Sequence, residues 1–386
     1  MKTFKTNVSL LTLFLIIAIS TNALAQEEPT PEEPSFSFSG SIDTYFHSTF
    51  KTQNIYYGGT HASSTSFADG KGFALGMANF IASFSGEKVG FVGDIVFGPR
   101  GQAAVFGTAS GQAVINQLYA YYNFNDKLKF NLGQFNTFLG YEVISPVVNF
   151  HYSTSYLFSW GPFNHTGARL DFDSGNGFGA KLAVMNPTDI VEFNPVNTYT
   201  LGAQLGYSGD AGGVYLNFLL GDQDGKLDED ESSAGDTSAG TLFQADVTLG
   251  YDLSEKFYLG FNASLQSVGD GETFDGTTIS DVGGDPSSFL GFAVYPKLSL
   301  TENFALGLRA EYFAVKNYHL GIFGLDTNGD GNVIDVTLSG NLKAGRLTFI
   351  PELRIDMTSE DSFFKPGATS ATNVLPSLNF AAVYSF

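Results

Sequence analysis

The chain has 386 residues, no cysteine, 45 glycines and 38 phenylalanines, and its formal charge is −20 with only 15% charged residues. That is well short of the roughly 25% charge of an ordinary globular domain, so part of the surface faces something other than water. Zero cysteine excludes thiol catalysis, disulfides and Cys-zinc sites, a pI of 4.4 leaves no basic stripe for nucleic acid, and no apolar run beyond the N-terminus reaches the roughly 20 residues of a membrane helix.

Lys2 and Lys5, the apolar stretch Val8 to Ile19 and the A-x-A site Ala23-Leu24-Ala25 read as a secretory signal peptide over residues 1–25. The alternative is a membrane anchor, for which the run is short. Loss of the two lysines takes the charge from −20 to −22. Residues 26–35 contain EEPTPEEP and read as an acidic, proline-rich periplasmic tail.

From Phe36 to Phe386 the chain repeats one pattern, segments of about ten residues in which apolar and polar or small residues alternate with period two. In Thr241 to Tyr251, Phe243, Ala245, Val247, Leu249 and Tyr251 share one face, and Leu242, Gln244, Asp246, Thr248 and Gly250 the other. Phe257 to Gln266 and Tyr199 to Ser208 alternate in the same way. A soluble sandwich alternates too, but it has no reason to gather its short turns at one end.

Short and long connections alternate strictly along this chain. Short turns fall at Gly86-Glu87-Lys88, Asn125-Asp126, Ser174-Gly175-Asn176, Gly209 to Gly212, Ser254-Glu255-Lys256, Thr301-Glu302 and Ala344-Gly345-Arg346. Long loops lie around 51–72, 98–112, 137–163, 186–197, 221–240, 267–287, 317–331 and 357–373. The expected fold is an all-β, transmembrane, antiparallel up-and-down β-barrel of about 16 strands, with short periplasmic turns and long extracellular loops. Fourteen follow instead if the weakly patterned segments 73–85 and 90–97 are not strands. Tyr122, Phe124, Tyr251, Phe257 and Tyr384 fall beside short turns and would form the periplasmic aromatic girdle. Leu378, Phe380, Ala382, Tyr384 and Phe386 form a last apolar face ending in Phe, which resembles the insertion signal of bacterial outer-membrane barrels.

Within Leu132 to Phe172 stand Gly133-Gln134-Phe135, Phe138-Leu139-Gly140-Tyr141-Glu142, the aromatic run Tyr152 to Phe158, and Gly161-Pro162-Phe163-Asn164-His165-Thr166-Gly167. This stretch resembles the OmpL-like family of β-barrel porins. The resemblance implies a porin-like protein of the bacterial outer membrane and names no substrate.

With the apolar faces turned to lipid, the inner face carries Asp43, Asp94, Lys129, Arg169, Asp171, Lys181, Asp246, Lys297, Arg309, Glu311, Lys343, Glu352, Arg354 and Asp356. A water-filled lumen is the expected home for these pore-lining charges; an ion-pair network bracing a closed barrel is the alternative. The seven acids and seven bases cancel, so the negative excess falls on loops, turns and tail and gives an acidic mouth.

The third long loop, 137–163, holds the single tryptophan, Trp160, and is too apolar for an exposed loop. It reads as an inward constriction lined by Glu142, His151, Tyr152, Tyr156 and Trp160, or as a packed lid or subunit contact. In the seventh loop, Asp326, Asn328, Asp330 and Asn332 match the start of a calcium loop, but position twelve is Thr337 rather than Glu, with Asp335 the nearest carboxylate. The alternative there is a metal-free Asx-rich turn. The fifth loop packs acids at Asp222, Asp224 and Asp228 to Glu231, which read as solvated charge.

His47, His61, His151, His165 and His319 show no HExxH or paired spacing, and G-x-S-x-G is absent, so no enzyme is expected. The expected function is passive diffusion of small hydrophilic solutes and ions through an outer-membrane porin-like channel with a weak cation preference. The alternative is a closed barrel serving as adhesin or envelope scaffold through its acidic loops. No cofactor is required beyond the Ca2+ candidate. The expected partners are outer-membrane lipids, lipopolysaccharide and solutes, with no nucleic acid; a homotrimer is compatible with this reading.

Overall fold

The computed structural model describes residues 34–56, 63–105, 114–194, 198–221, 242–269, 272–274, 279–281, 285–365 and 367–386. The segment expected to be a signal peptide, most of the expected acidic tail and the acidic fifth loop lie outside the described residues.

Sixteen strands form the wall. The first eight are β1 (Ser35–Ser48), β2 (Gly72–Ser85), β3 (Val89–Phe97), β4 (Ile115–Asn125), β5 (Leu128–Asn136), β6 (Asn164–Asp173), β7 (Phe178–Met185) and β8 (Thr200–Gly209). There follow β9 (Gly212–Gly221), β10 (Leu242–Asp252), β11 (Phe257–Ser267), β12 (Ser288–Thr301), β13 (Phe304–Lys316), β14 (Gly331–Ala344), β15 (Leu347–Thr358) and β16 (Val374–Ser385). Each pairs antiparallel with its sequence neighbours, and β1 closes the ring on β16. The segments at 73–85 and 90–97 are β2 and β3, so the number is sixteen. Closure satisfies every edge, which a sheet in lipid requires because no water is there to pair an open N–H or C=O.

Alternation sets which face meets what. On β10, Phe243 is 38% exposed to the outside while Leu242, Gln244 and Asp246 are buried within. Tyr122, Phe124, Phe257 and Tyr384 are exposed beside the short turns. The terminal Phe386 belongs to the closing seam: its N–H donates to Gly40 O at 3.0 Å and its ring lies 6.0 Å from that of Phe38.

The core sits inside the ring, toward the long loops. Phe67, Ala104, Val105, Ile144, Phe158 and Phe163, drawn from the first three long loops, pack with Met77 and Val96 of the wall. Tyr156 and Leu157 pack against Phe289, Phe313, Leu320 and Phe323 on the other side. Two short helices accompany them, α1 (Pro99–Ala104) and α2 (Tyr156–Ser159). The long-loop half of the interior is therefore filled, with packed apolar side chains beside buried charges.

Candidate functional site

The interior site begins with a flaw in the β1–β2 ladder. Pairing slips between Ile42 and Thr44, so Asp43 stands opposite Gly76 and Met77. The bulge frees the Met77 N–H, and the Asp43 carboxylate accepts it at 3.0 Å. The same carboxylate accepts the Tyr152 hydroxyl at 2.6 Å, tying the third long loop to the first strand.

That loop, residues 137–163, runs inside the barrel, and charges from β13 and β15 grip its backbone one residue after another. Glu352 accepts the N–H of Tyr152 at 2.8 Å and of Ser153 at 3.1 Å. Arg309 donates to Ser153 O at 2.8 Å and Arg354 to Thr154 O at 2.7 Å. Glu142, from the loop itself, accepts Ser155 N–H at 2.7 Å, and Glu311 accepts those of Tyr156 and Leu157 at 2.8 and 2.7 Å. Buried polar groups have to be paired, and bonds to ionised partners are the strong ones. An irregular segment with no ladder of its own is held in this way.

Asp335 joins the two guanidiniums. Its Oδ2 lies 2.9 Å from Arg309 Nη2 and 2.8 Å from Arg354 Nη2, and Asp356 completes Arg354 at 2.7 Å. Of the remaining loop residues singled out above, His151 bonds Ser339 at 2.8 Å, Tyr156 donates its hydroxyl to Ser63 O at 2.5 Å, and Trp160 Nε1 donates to Ser64 O at 2.9 Å. Asp94 is satisfied by Asn79, Asn116 and Gln117, and Asp246 by Asn217, Asn262 and the Gly140 N–H. Asp189, in the loop after β7, accepts the N–H groups of Phe163 and Asn164 at 2.9 and 2.8 Å where the third loop rejoins the wall. Burial pushes its carboxyl up to about 7 against the pull of those two donors.

The fourteen inner charges therefore divide by depth. Asp43, Asp94, Asp246, Glu311, Glu352 and Asp356 are buried, together with Arg309 and Arg354. Lys129, Lys181, Lys297 and Lys343 lie toward the short turns and, among the described residues, form no ion pair. Arg169 pairs with Asp171 at 2.7 Å. Three adjoining cavities occupy this half. One of about 730 Å3 is lined by Lys129, Asp171, Lys181, Gln204 and Tyr215. A second of about 520 Å3 shares Lys181, Gln204 and Tyr215 with it. The third, about 470 Å3, meets the second at Tyr141 and Tyr258.

In the seventh loop, Asp326 accepts the N–H groups of Asp330 at 3.0 Å and Asn328 at 2.8 Å, which hold its exposed carboxyl below the ordinary value. Asp330 accepts from the Asn317 N–H at 3.1 Å, and the Asn332 N–H donates to Ser359. Among the described residues no three acidic or histidine side chains converge as a metal cluster.

Residues 35–386 match the family model described as "Putative beta-barrel porin-2, OmpL-like". The chain belongs to that family. No curated protein matches it. Solved structures similar to this OmpL-like barrel include the outer membrane channel DcaP of Acinetobacter baumannii, at 13% identity and a TM-score of 0.61, covering 92% of this chain and 98% of that one. OmpT of Vibrio cholerae is 12% identical with a TM-score of 0.57, covering 95% and 100%. Salmonella typhi OmpF in complex with daunomycin is 11% identical with a TM-score of 0.56, covering 91% and 97%. At these identities the likeness is one of fold. Family and fold together make this an outer-membrane β-barrel of the porin type.

Two members of the buried belt escape a reading by charge alone. Asp335 reads as a spare calcium ligand, yet it has the same parity as Lys343 on β14 and so faces inward with it. Arg100, in α1, donates to Ile144 O at 3.0 Å and Tyr152 O at 3.3 Å; a helix of six residues inside a loop leaves no periodic signal.

Proposed function

We propose that this porin-family barrel admits small hydrophilic solutes and ions by passive diffusion, with a weak preference for cations and no catalytic step. The observation that carries the reading is the polar space the third loop leaves unfilled on the short-turn side. Residues 152–157 of the loop are clamped by β13 and β15, while the wall from β5 to β9 keeps an open polar cavity of about 730 Å3. The acidic excess of the loops and tail favours cations at the mouth by focusing. The lysines at the other end, which form no ion pair among the described residues, act in the opposite sense, so the preference is weak.

Refolded mature protein in a planar bilayer, under a KCl gradient, tests this. Stable conductance with a cation-biased reversal potential supports the pore. The alternative is a closed barrel presenting its loops as an adhesin or scaffold, favoured by the apolar packing of Tyr156, Phe158 and Phe163 inside the ring. Inserted, heat-modifiable but silent protein would select it.

A further inference from the structure

On the short-turn side, β13 presents its smallest inward residues, Ala305 and Gly307, between two lysine-bearing strands. Lys297 of β12 pairs across with Gly307, and Lys343 of β14 bonds through its N–H to Asn303 O at the foot of β13. The result is a trough of about 470 Å3 whose lining includes Lys297, Lys343, Ala305 and three apolar residues of the third loop, Val147, Val148 and Phe150.

Both surfaces of this trough are open to the cavity. Neither lysine forms an ion pair among the described residues; Lys297 Nζ instead stands 4.5 Å from the centre of the Tyr258 ring. Glu142, the acid nearest on the loop, is committed to Arg309 at 2.8 Å, and Glu302 stands on the turn at the rim. Val147 and Val148 are 46% and 73% exposed although they lie inside the barrel. Gly307 leaves no room to spare: a Cβ there would strike the Phe150 ring. Phe150 is in turn fixed by Asn341, which donates to its carbonyl at 2.8 Å. The shelf is therefore built into the wall, with a fixed apolar surface beside two flexible point charges.

We infer that this trough is a binding site for a small organic anion with an apolar body, its carboxylate drawn to the lysine side lined by Lys297 and Lys343 and its body on Val147, Val148 and Phe150. The inference rests on the porin reading for its physiological sense, since such a solute would meet the trough while crossing. A mineral anion would leave the valine shelf wet, and a neutral apolar molecule would leave the two ammoniums without a counter-charge; only the combination satisfies both surfaces. Lysine suits the task because it offers a mobile charge that follows a solute instead of locking it in a bidentate pair.

Equilibrium dialysis of the refolded, detergent-solubilised barrel with benzoate tests the site, with benzyl alcohol and acetate as partial ligands. Benzoate is expected to be retained more strongly than either. The K297Q/K343Q pair is expected to weaken benzoate by about tenfold, and V148S by a few-fold. Arginine at the same two positions restores retention. Equal retention of benzyl alcohol, or indifference to the double glutamine variant in protein that keeps its heat-modifiable mobility, would overturn the site. Bilayer conductance of the same protein judges the pore separately. A conducting barrel indifferent to benzoate sinks the trough alone, and a silent barrel that retains benzoate sinks the pore and leaves the trough standing.

Discussion

Arg309 and Glu142 lie 167 positions apart and meet at 2.8 Å, both buried, one on the wall and the other on the loop inside it. The pair joins a strand of the last third of the barrel to a segment of the first half. Arg309→Ala would leave Glu142 and Asp335 as buried carboxylates short of a partner. Breaking such a pair costs roughly 3–5 kcal/mol. The urea midpoint of the refolded barrel is expected to fall accordingly, and the single-channel current to become noisier as the loop loosens. An unchanged midpoint with quiet current would show that the contact does not hold the loop.

Gly76 tests the bulge. A Cβ there would overlap the Asp43 carboxylate and approach the Tyr152 hydroxyl at 2.9 Å. Gly76→Ala forces Asp43 off Tyr152 and Met77 and is expected to destabilise by about 1–3 kcal/mol. The same change at Gly345, where the added methyl meets nothing within 4 Å but φ is +62°, should cost about 1 kcal/mol through backbone strain alone. Comparing the two urea midpoints separates crowding from strain.

Asp189 gives the fold a pH dependence. Burial pushes its carboxyl from an ordinary 3.8 up to about 7 in the folded protein, so the folded state holds a proton that the unfolded chain has released across that window. Stability from this group is complete below about pH 4 and is lost as pH rises through 7. Asp189→Asn keeps the shape and tolerates the φ of 61° at this position. It is expected to flatten the change in urea midpoint between pH 4 and 8. A variant as pH-sensitive as the parent would assign the dependence elsewhere.

The four lysines of the short-turn half make a further electrical prediction. Changing Lys129, Lys181, Lys297 and Lys343 together to Gln removes the positive wall of the short-turn half while leaving the buried belt intact. The reversal potential in a KCl gradient should move toward that of potassium. A shift toward chloride would contradict the assignment of these side chains to the ion path.

Strand positions, all seven short turns and the limits of the third loop can be read from alternation and turn chemistry, because lipid outside and polar groups inside impose a period of two on every wall segment. What alternation cannot convey is how loops pack on one another. Phe67, Val105 and Phe163 come from three separate loops, none periodic, and they meet only because the ring brings them together. Asp335 shows a related limit. Read along the chain it is the carboxylate nearest to an incomplete calcium motif, and read across the sheet it lies between two arginines, a relation created only by the pairing of β13, β14 and β15.

The grip on the third loop also fixes an order of events. Residues 152–157 are held by Arg309, Glu311, Glu352 and Arg354, which leave the ribosome about 150 to 200 residues later. The loop has no seat until β13 and β15 are in place, and Tyr152 reaches Asp43 beside the seam that only β16 can close. Seating of this segment thus needs partners from β1, β13 and β15 together, and the lone indole of Trp160, seated on Ser64, is a built-in fluorescent reporter of the contact between the first and third loops.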